Sequence, residues 1–512
     1  MKSLVRLGLI CLTAMLAACA DMSGIAPHAT QLDANTLDGG AAIGRAAADG
    51  QWPSARWWQD YGDPQLDALV ASAIAGSPDL RIAEARVRRA QALAGVAQSA
   101  TLPSVDASSS LSRELFSAND FIPPPEAGNY AWYNRVALEG SYDLDLWGKQ
   151  RQALAAAVDQ ARAASAESQM ARLALENNVV RSYVQLSLQF ALKDIAQQTL
   201  AHRQRALQVV RRRMAAGLAT EADVTQLEAA VPPLQMQIER YDESIALLRN
   251  QLAALCGRGA GAGERIRRPS LSLTGNAWLS LPTRVPADLI GRRPDIVARR
   301  WEVEASSRNI ASAKAAFYPD INLMAFIGFQ AVGFDKLLDS SSMIQGAGPA
   351  ISLPIFEGGR LRGNLGARTA EYDAAVENYD KTVIHALESV SNALVVARSE
   401  QDQKRLNDVA LATAERARSL AGRSFAAGMT DFLVLLNSEV TLLAQQQEQA
   451  RIAADMLESH AALMVALGGG SLPASGASTP GATAPAVSTS NAAAPNATAP
   501  AASPNSVATD RP

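Results

Sequence analysis

The sequence predicts an α+β chain in which one unit, a β-hairpin followed by a long helical hairpin, is written twice. Three observations carry this expectation. Short motifs recur in order at a nearly constant offset. Segments alternate apolar and polar residues with period two. A stretch spanning residues 149–216 holds no proline. The composition agrees with folded material: 48% apolar and 19% charged residues over 512 positions exclude a disordered or collagen-like polymer. A formal charge of −3 gives no global pull on nucleic acid. Three cysteines exclude a disulfide scaffold. No internal apolar run reaches the roughly 18 residues of a membrane-spanning helix.

The repeat is read from four matches. Ser77-Pro78-Asp79 returns as Arg293-Pro294-Asp295, and Leu102-Pro103-Ser104 as Tyr318-Pro319-Asp320, both offset by 216. Ala215-Ala216-Gly217 returns as Ala426-Ala427-Gly428, and Leu255-Cys256-Gly257 as Ala466-Leu467-Gly468, both offset by 211. A small deletion in the second copy accounts for the drift. Self-similarity of this kind marks a duplicated architecture.

The elements follow in order. Lys2 and Arg6 precede the short apolar run from Leu7 to Ala18, the pattern of a secretory signal. It ends Leu16-Ala17-Ala18-Cys19, a tetrad that resembles a bacterial lipobox and makes Cys19 the expected acylated first residue. Ala20, rather than aspartate, follows it and favours the outer membrane. Pro64 stands at a helix N1 position, with Leu66, Leu69, Val70, Ala73 and Ile74 at helical spacing. The counterpart starts at Pro286 and runs through Ile290, Ile296 and Trp301.

Val136 to Leu146 alternates strictly. Val136, Leu138, Tyr142, Leu144 and Leu146 fall on one face; Glu139, Ser141, Asp143 and Asp145 fall on the other. Its partner is residues 105–115, and the second copy offers 321–327 and 350–356. A soluble sandwich also alternates, but strands of about ten residues with an acidic inner face fit a membrane barrel. Glu139, Asp143 and Asp145 are then expected in the lumen, disfavouring anions. Trp132, Tyr133, Tyr142 and Trp147 are candidates for interfacial girdles.

The long helix ends at Arg211-Arg212-Arg213-Met214-Ala215-Ala216-Gly217, basic residues before a glycine stop. Thr220 opens the returning helix as N-cap, with Asp223 as capping-box partner. The second copy turns at Gly428 and restarts at Thr430. Expected boundaries are a signal peptide over 1–18, a lipidated N-terminal segment over 19–58, repeat 1 over 59–257, a linker over 258–285, repeat 2 over 286–470 and a disordered Ala/Pro/Ser-rich tail over 471–512. Cys256, at an apolar helix end, reads as a buried small hydrophobe. The four scattered histidines have no metal-ligand spacing, and no catalytic or cofactor motif stands out.

A strand hairpin and a long helical hairpin, twice, behind a lipobox: this resembles the outer-membrane factor family of bacterial efflux systems. More narrowly it is similar to the lipoprotein channels that serve resistance-nodulation-division pumps. The motifs are Leu289-Ile290-Gly291-Arg292-Arg293-Pro294-Asp295-Ile296, Ala315-Ala316-Phe317-Tyr318-Pro319, Pro354-Ile355-Phe356-Glu357-Gly358-Gly359-Arg360, Ala466-Leu467-Gly468-Gly469-Gly470 and Trp57-Trp58. They span about residues 55–470. The resemblance implies a homotrimer: a twelve-stranded outer-membrane β-barrel continued by a periplasmic helical barrel. It implies an exit duct of a tripartite efflux pump, passive and not an enzyme, without cofactor. Its partners would be a periplasmic membrane-fusion adaptor, an inner-membrane pump and outer-membrane lipid. A type I protein-secretion duct shares this architecture and stays open as the alternative.

The same resemblance assigns adaptor contact to the tips, Gly217, Leu218 and Thr220 in the first copy and Gly428, Met429 and Thr430 in the second. It assigns a periplasmic gate to Asp223, Val434 and Asn437. Asn437 stands where relatives often carry aspartate, so a constriction by apolar side chains is the expected alternative to an acidic ring.

Overall fold

The computed structural model describes residues 22–33, 36–38, 40–44, 52–119, 121–272 and 291–470. The signal peptide, Cys19, the helix start at Pro286 and Ile290, and the 471–512 tail lie outside the described residues.

Repeat 1 begins with α1 (Pro64–Gly76) and α2 (Pro78–Ser99), each with proline in its first turn. Strands β1 (Ser104–Leu115) and β2 (Tyr130–Asp143) follow. Then come α3 (Lys149–Ala215), α4 (Glu221–Ala229) and α5 (Val231–Leu255). Repeat 2 supplies α6 (Pro294–Ala315), β3 (Asp320–Val332), β4 (Met343–Ser352), α7 (Arg360–Ala426) and α8 (Phe432–Ala466). The two long helices α3 and α7 are both 67 residues, about 100 Å at 1.5 Å per residue.

The four strands form one antiparallel sheet in the order β1-β2-β3-β4. Both hairpins are thus joined through β2 and β3, with Glu139 opposite Phe326 and Asp106 opposite Glu139. β1 and β4 stay as open edges.

The main core lies where the helices of both repeats meet below the sheet. Val179, Val180, Tyr183 and Val184 of α3 pack with Val376, Val383 and Val390 of α7 and Leu463 of α8. Trp57, Trp58 and Tyr61 insert from the N-terminal side. α6 is seated between α3 and α7, tied by Arg308 Nε to Asp159 Oδ2 at 2.7 Å and by Ser312 Oγ to the Lys149 carbonyl at 2.9 Å. Cys256 is buried at the end of α5.

Several boundaries differ from expectation. β2 ends at Asp143, and Asp145 instead caps α3: its carboxylate accepts from the backbone N–H of Gln150 (3.2 Å) and Arg151 (2.8 Å). A turn directly before a 67-residue helix needs an acceptor for its free N–H groups, and that demand outweighs strand alternation. β4 ends at Ser352, so residues 353–356 lie beyond it. The returning helix of repeat 1 breaks at Ala230, before Pro232-Pro233. α8 starts at Phe432 with Asp431, not Thr430, at its N-cap.

Candidate functional site: a two-faced sheet on helical hairpins

Period-two geometry divides the sheet into two faces. One carries Val105, Leu111, Trp132, Val136, Leu138, Leu323, Ile327, Phe329 and Ile351. The register aligns these residues across the four strands. Most are exposed in the single chain. The other face carries Ser104, Asp106, Ser108, Ser110, Ser112 and Glu114 of β1 with Arg135, Glu139, Ser141 and Asp143 of β2, and on β3 and β4 Asn322, Gln330 and Ser352 beside the apolar Met324, Phe326 and Ile344. An exposed apolar face of this size on a four-stranded sheet calls for a lipid or protein cover. The polar face suits water.

Glu139 and Asp143 therefore share the polar face, but Glu139 is not a free charge. Arg135 Nη2 lies 2.8 Å from its Oε1, one pleat pair away on the same strand. The Arg135 guanidinium also lies 5.5 Å from the Phe326 ring centroid. Asp145, the third expected lumen carboxylate, is committed to the α3 cap. Tyr133, expected in an interfacial girdle, stands on the polar face in hydrogen-bonding contact with Gln330. Trp147 stacks on Tyr318 at 4.8 Å and donates to the Pro319 carbonyl, at the helix-side end of the sheet.

At the far ends of the helices, the two turns are built alike. Gly217 and Gly428 both have φ of 72°, which glycine alone adopts without strain. Leu218 and Met429 beside them are 69% and 73% exposed, apolar side chains held out from the fold. The caps differ. Thr220 accepts from Asp223 N–H, and the Asp223 carboxylate accepts from Thr220 N–H at 2.8 Å and Oγ1 at 2.7 Å. Those donors hold Asp223 below the usual carboxylate range. Asp223 thus acts first as a cap. Thr430 Oγ1 has no hydrogen-bond partner among the described residues. Val434 and Asn437, one turn apart on α8, are exposed, with Leu433 and Val440 on the same flank. Phe432, Leu435 and Leu436 turn inward instead.

Two further networks have only faint sequence signals. Asp63 is the N-cap of α1 and accepts from Gln65 N–H (2.9 Å), Tyr183 Oη (2.8 Å) and Ser270 N–H (2.8 Å). Burial pushes its carboxyl up, but these donors outweigh burial and hold it below its ordinary value. Tyr61 Oη donates to the Leu457 carbonyl at 2.7 Å, and His460 Nδ1 lies 3.1 Å from the same oxygen. The Tyr61 proton being committed, Nδ1 is the donor. Burial pushes His460 down to about 4. A third feature is the segment after residue 22. Met22 and Ile25 pack with Ile310, Phe317 and Leu365, and Arg362 donates to the Ser23 carbonyl at 3.1 Å. Asp373 of α7 accepts from the backbone N–H of His28 and Ala29, and Asp380 from that of Leu32. Among the described residues no three His, Cys, Asp or Glu side chains converge to hold a metal.

Comparison with known proteins agrees with this geometry. The model of a family described as outer membrane efflux protein matches residues 69–258 and 285–469. The chain is 46% identical over 372 residues to the fusaric acid resistance protein FusA of Burkholderia cepacia, covering 72% of this chain and 70% of that protein. It is 30% identical to the multidrug resistance outer membrane protein MdtP of Shigella flexneri, covering 83% and 88%. The crystal structure of the outer membrane protein VceC of Vibrio cholerae matches with 34% identity and a TM-score of 0.76, covering 82% of this chain and all of that one. The outer-membrane channel OprN matches with 27% identity and a TM-score of 0.77, covering 87% and 99%. On sequence and on fold, this chain belongs to the outer membrane efflux protein family.

Proposed function

We propose that this chain is the exit duct of a tripartite efflux pump, conducting drugs or other small amphipathic compounds across the outer membrane without chemistry of its own. The observation that carries the reading is the sheet: apolar on one face, polar over β1 and β2 on the other, with both edges open. An open edge is not tolerated in lipid, because its N–H and C=O groups find no partner there. Copies of the chain must pair β1 with β4 until the sheet closes. Two copies make eight strands, whose interior side chains fill. Three make twelve, wide enough for a solute path.

The helices support the same closure. α6 is covered by α3 and α7, whereas α2, its counterpart, packs chiefly on α3 and leaves Ile82, Leu93 and Val96 exposed. The equivalent seat is α7 of a neighbouring copy. That contact is head-to-tail, the kind that closes into a ring. The helical hairpins then continue the duct into the periplasm. Their exposed apolar tips, Leu218 and Met429, are the surface for a periplasmic adaptor, behind which stands an inner-membrane pump. Val434 and Asn437 face the axis at the narrow end.

Lipid anchoring at Cys19 fits the start of the described chain. Met22 and Ser23 are held beside Arg362, at the end of α7 nearest the sheet. The test is accumulation of unrelated amphipathic drugs in cells lacking the gene, complemented by wild type and by Cys19→Ser at matched expression. Raised accumulation reversed by wild type is expected. Unchanged accumulation together with a protein missing from the medium would shift the reading to secretion.

A further inference from the structure

We propose that each copy of the chain carries, at the outer mouth of the duct, a binding recess for planar organic cations, built from Glu114, Phe116, Phe121 and Tyr133. This rests on the duct reading above and names the class of solute that its exit holds longest.

The recess starts from strand alternation. Ser112 and Glu114 point to the polar face of β1, and Phe116 continues that alternation one residue past the strand. Its N–H donates to the Asn129 carbonyl at 3.1 Å, so the hairpin ladder runs on through it. Glu114 stands opposite Ala131, whose methyl group leaves the space over that pair open. Phe116 leans back across this space and meets the Tyr133 ring, 6.1 Å between centroids and 75° between planes. The contact leaves Phe116 only 8% exposed, although it lies at the strand end away from the helices. Tyr133 is held from the other side, its hydroxyl accepting from Gln330 of β3. Phe121 of the β1–β2 loop forms the outer rim. The recess has a volume of about 560 Å³, within the range that takes a small organic molecule.

Two rings at nearly a right angle make a corner of π-surface, and ring faces attract cations. The charge at this corner is the Glu114 carboxylate, and among the described residues lining the recess none is basic. Arg135, two positions from Tyr133 on the same face, is turned to Glu139 at 2.8 Å. An anion would meet Glu114 and the negative ring faces. A neutral ring would gain stacking without the charge. The geometry therefore selects a flat aromatic molecule with a fixed positive charge.

Binding is read by the fluorescence anisotropy of ethidium, a permanently charged planar cation, titrated with the purified full-length protein in nonionic detergent. Glu114→Gln removes the charge and keeps the shape. Phe121→Leu removes the ring from the exposed rim and keeps an apolar side chain. Each is expected to weaken binding about fivefold, the factor that about 1 kcal/mol gives. Asp106→Asn removes the same charge from the same face of β1, about 26 Å away along the strand and beyond the screening length of physiological salt. It is expected to leave the dissociation constant within about twofold of wild type. Heat-resistant oligomers on gels check that each variant is assembled, and conductance of the same preparations in planar lipid bilayers reports the channel. Assembled Glu114→Gln and Phe121→Leu that bind as wild type does overturn the recess, as does equal weakening by Asp106→Asn; conduction then leaves the duct reading standing. The expected ranking from protein that never conducts keeps the recess and sinks the duct.

Discussion

His460 shows what one buried side chain contributes. It is 1% exposed, and burial lowers its pKa from 6.5 to about 4. The fold therefore holds it neutral, whereas the unfolded chain takes up a proton near 6.5. Its contribution is complete above that pH and is lost as pH falls toward 4, with a ceiling of about 3 kcal/mol at 1.36 kcal/mol per unit. His460→Gln retains a donor for Tyr61 and has no proton to gain. Thermal unfolding in detergent is expected to show a smaller drop in midpoint between pH 6.5 and 4 for the variant than for wild type; parallel curves would refute this. Asp63 makes a different demand. Its carboxylate caps α1 and receives the Tyr183 hydroxyl and the Ser270 N–H. Asp63→Ala removes the cap and strands the buried Tyr183 hydroxyl, for a cost of about 2–3 kcal/mol. A midpoint unchanged from wild type at neutral pH would contradict the network.

At the level of elements, the tightest joint is the one between α1 and the end of α5. A Cβ on Gly76 would sit 2.2 Å from the Cys256 carbonyl oxygen, and one on Gly257 would sit 2.1 Å from that of Gly76. Both obstacles are backbone, so no side chain can swing aside. Gly76→Ala is expected to push the two helices apart and cost about 1–3 kcal/mol, the range for overpacking. A melting midpoint within a degree of wild type would show that the joint gives way freely. Local signals make much of this level legible in the sequence. Proline at N1 announces α1, the proline-free stretch announces α3, and glycine marks both tips, since φ near 72° suits little else; the break at Ser77 that makes α2 a separate helix is not announced. The Thr220–Asp223 cap is readable for the same reason: both partners lie within one turn. What stays hidden involves distance or competition. Tyr61 and His460 are 399 positions apart, and nothing local ties them. Asp145 obeys strand alternation in the sequence, yet the free N–H groups of a long helix claim it. Pro232-Pro233 is visible, but proline in a first helical turn reads as a start as readily as a break.

For the molecule as a whole, the decisive property is which face of the sheet meets lipid. Sequence alternation separates the two sets of residues correctly over 136–143, because pleating is strictly periodic; it does not say how many copies must close the sheet, since edge pairing lies between chains. The face assignment has a direct consequence. Leu138 stands mid-strand on the apolar face, beside Ala107 and Ile327. Ser110 stands on the polar face, beside Arg135. Arginine at a lipid-facing midplane position costs about 2–4 kcal/mol, while the same residue in a water-filled interior costs little. Closure multiplies the difference, because every copy carries the substitution at the same depth. Leu138→Arg is therefore expected to deplete heat-resistant oligomer from outer-membrane fractions, and Ser110→Arg to leave it near the wild-type level while altering ion selectivity in bilayer recordings. The paired design separates charge from position, for both variants add the same side chain to neighbouring strands of one hairpin. Equal loss in both would mean that neither face is wet; loss confined to Ser110→Arg would turn the sheet inside out and place the apolar residues toward the axis.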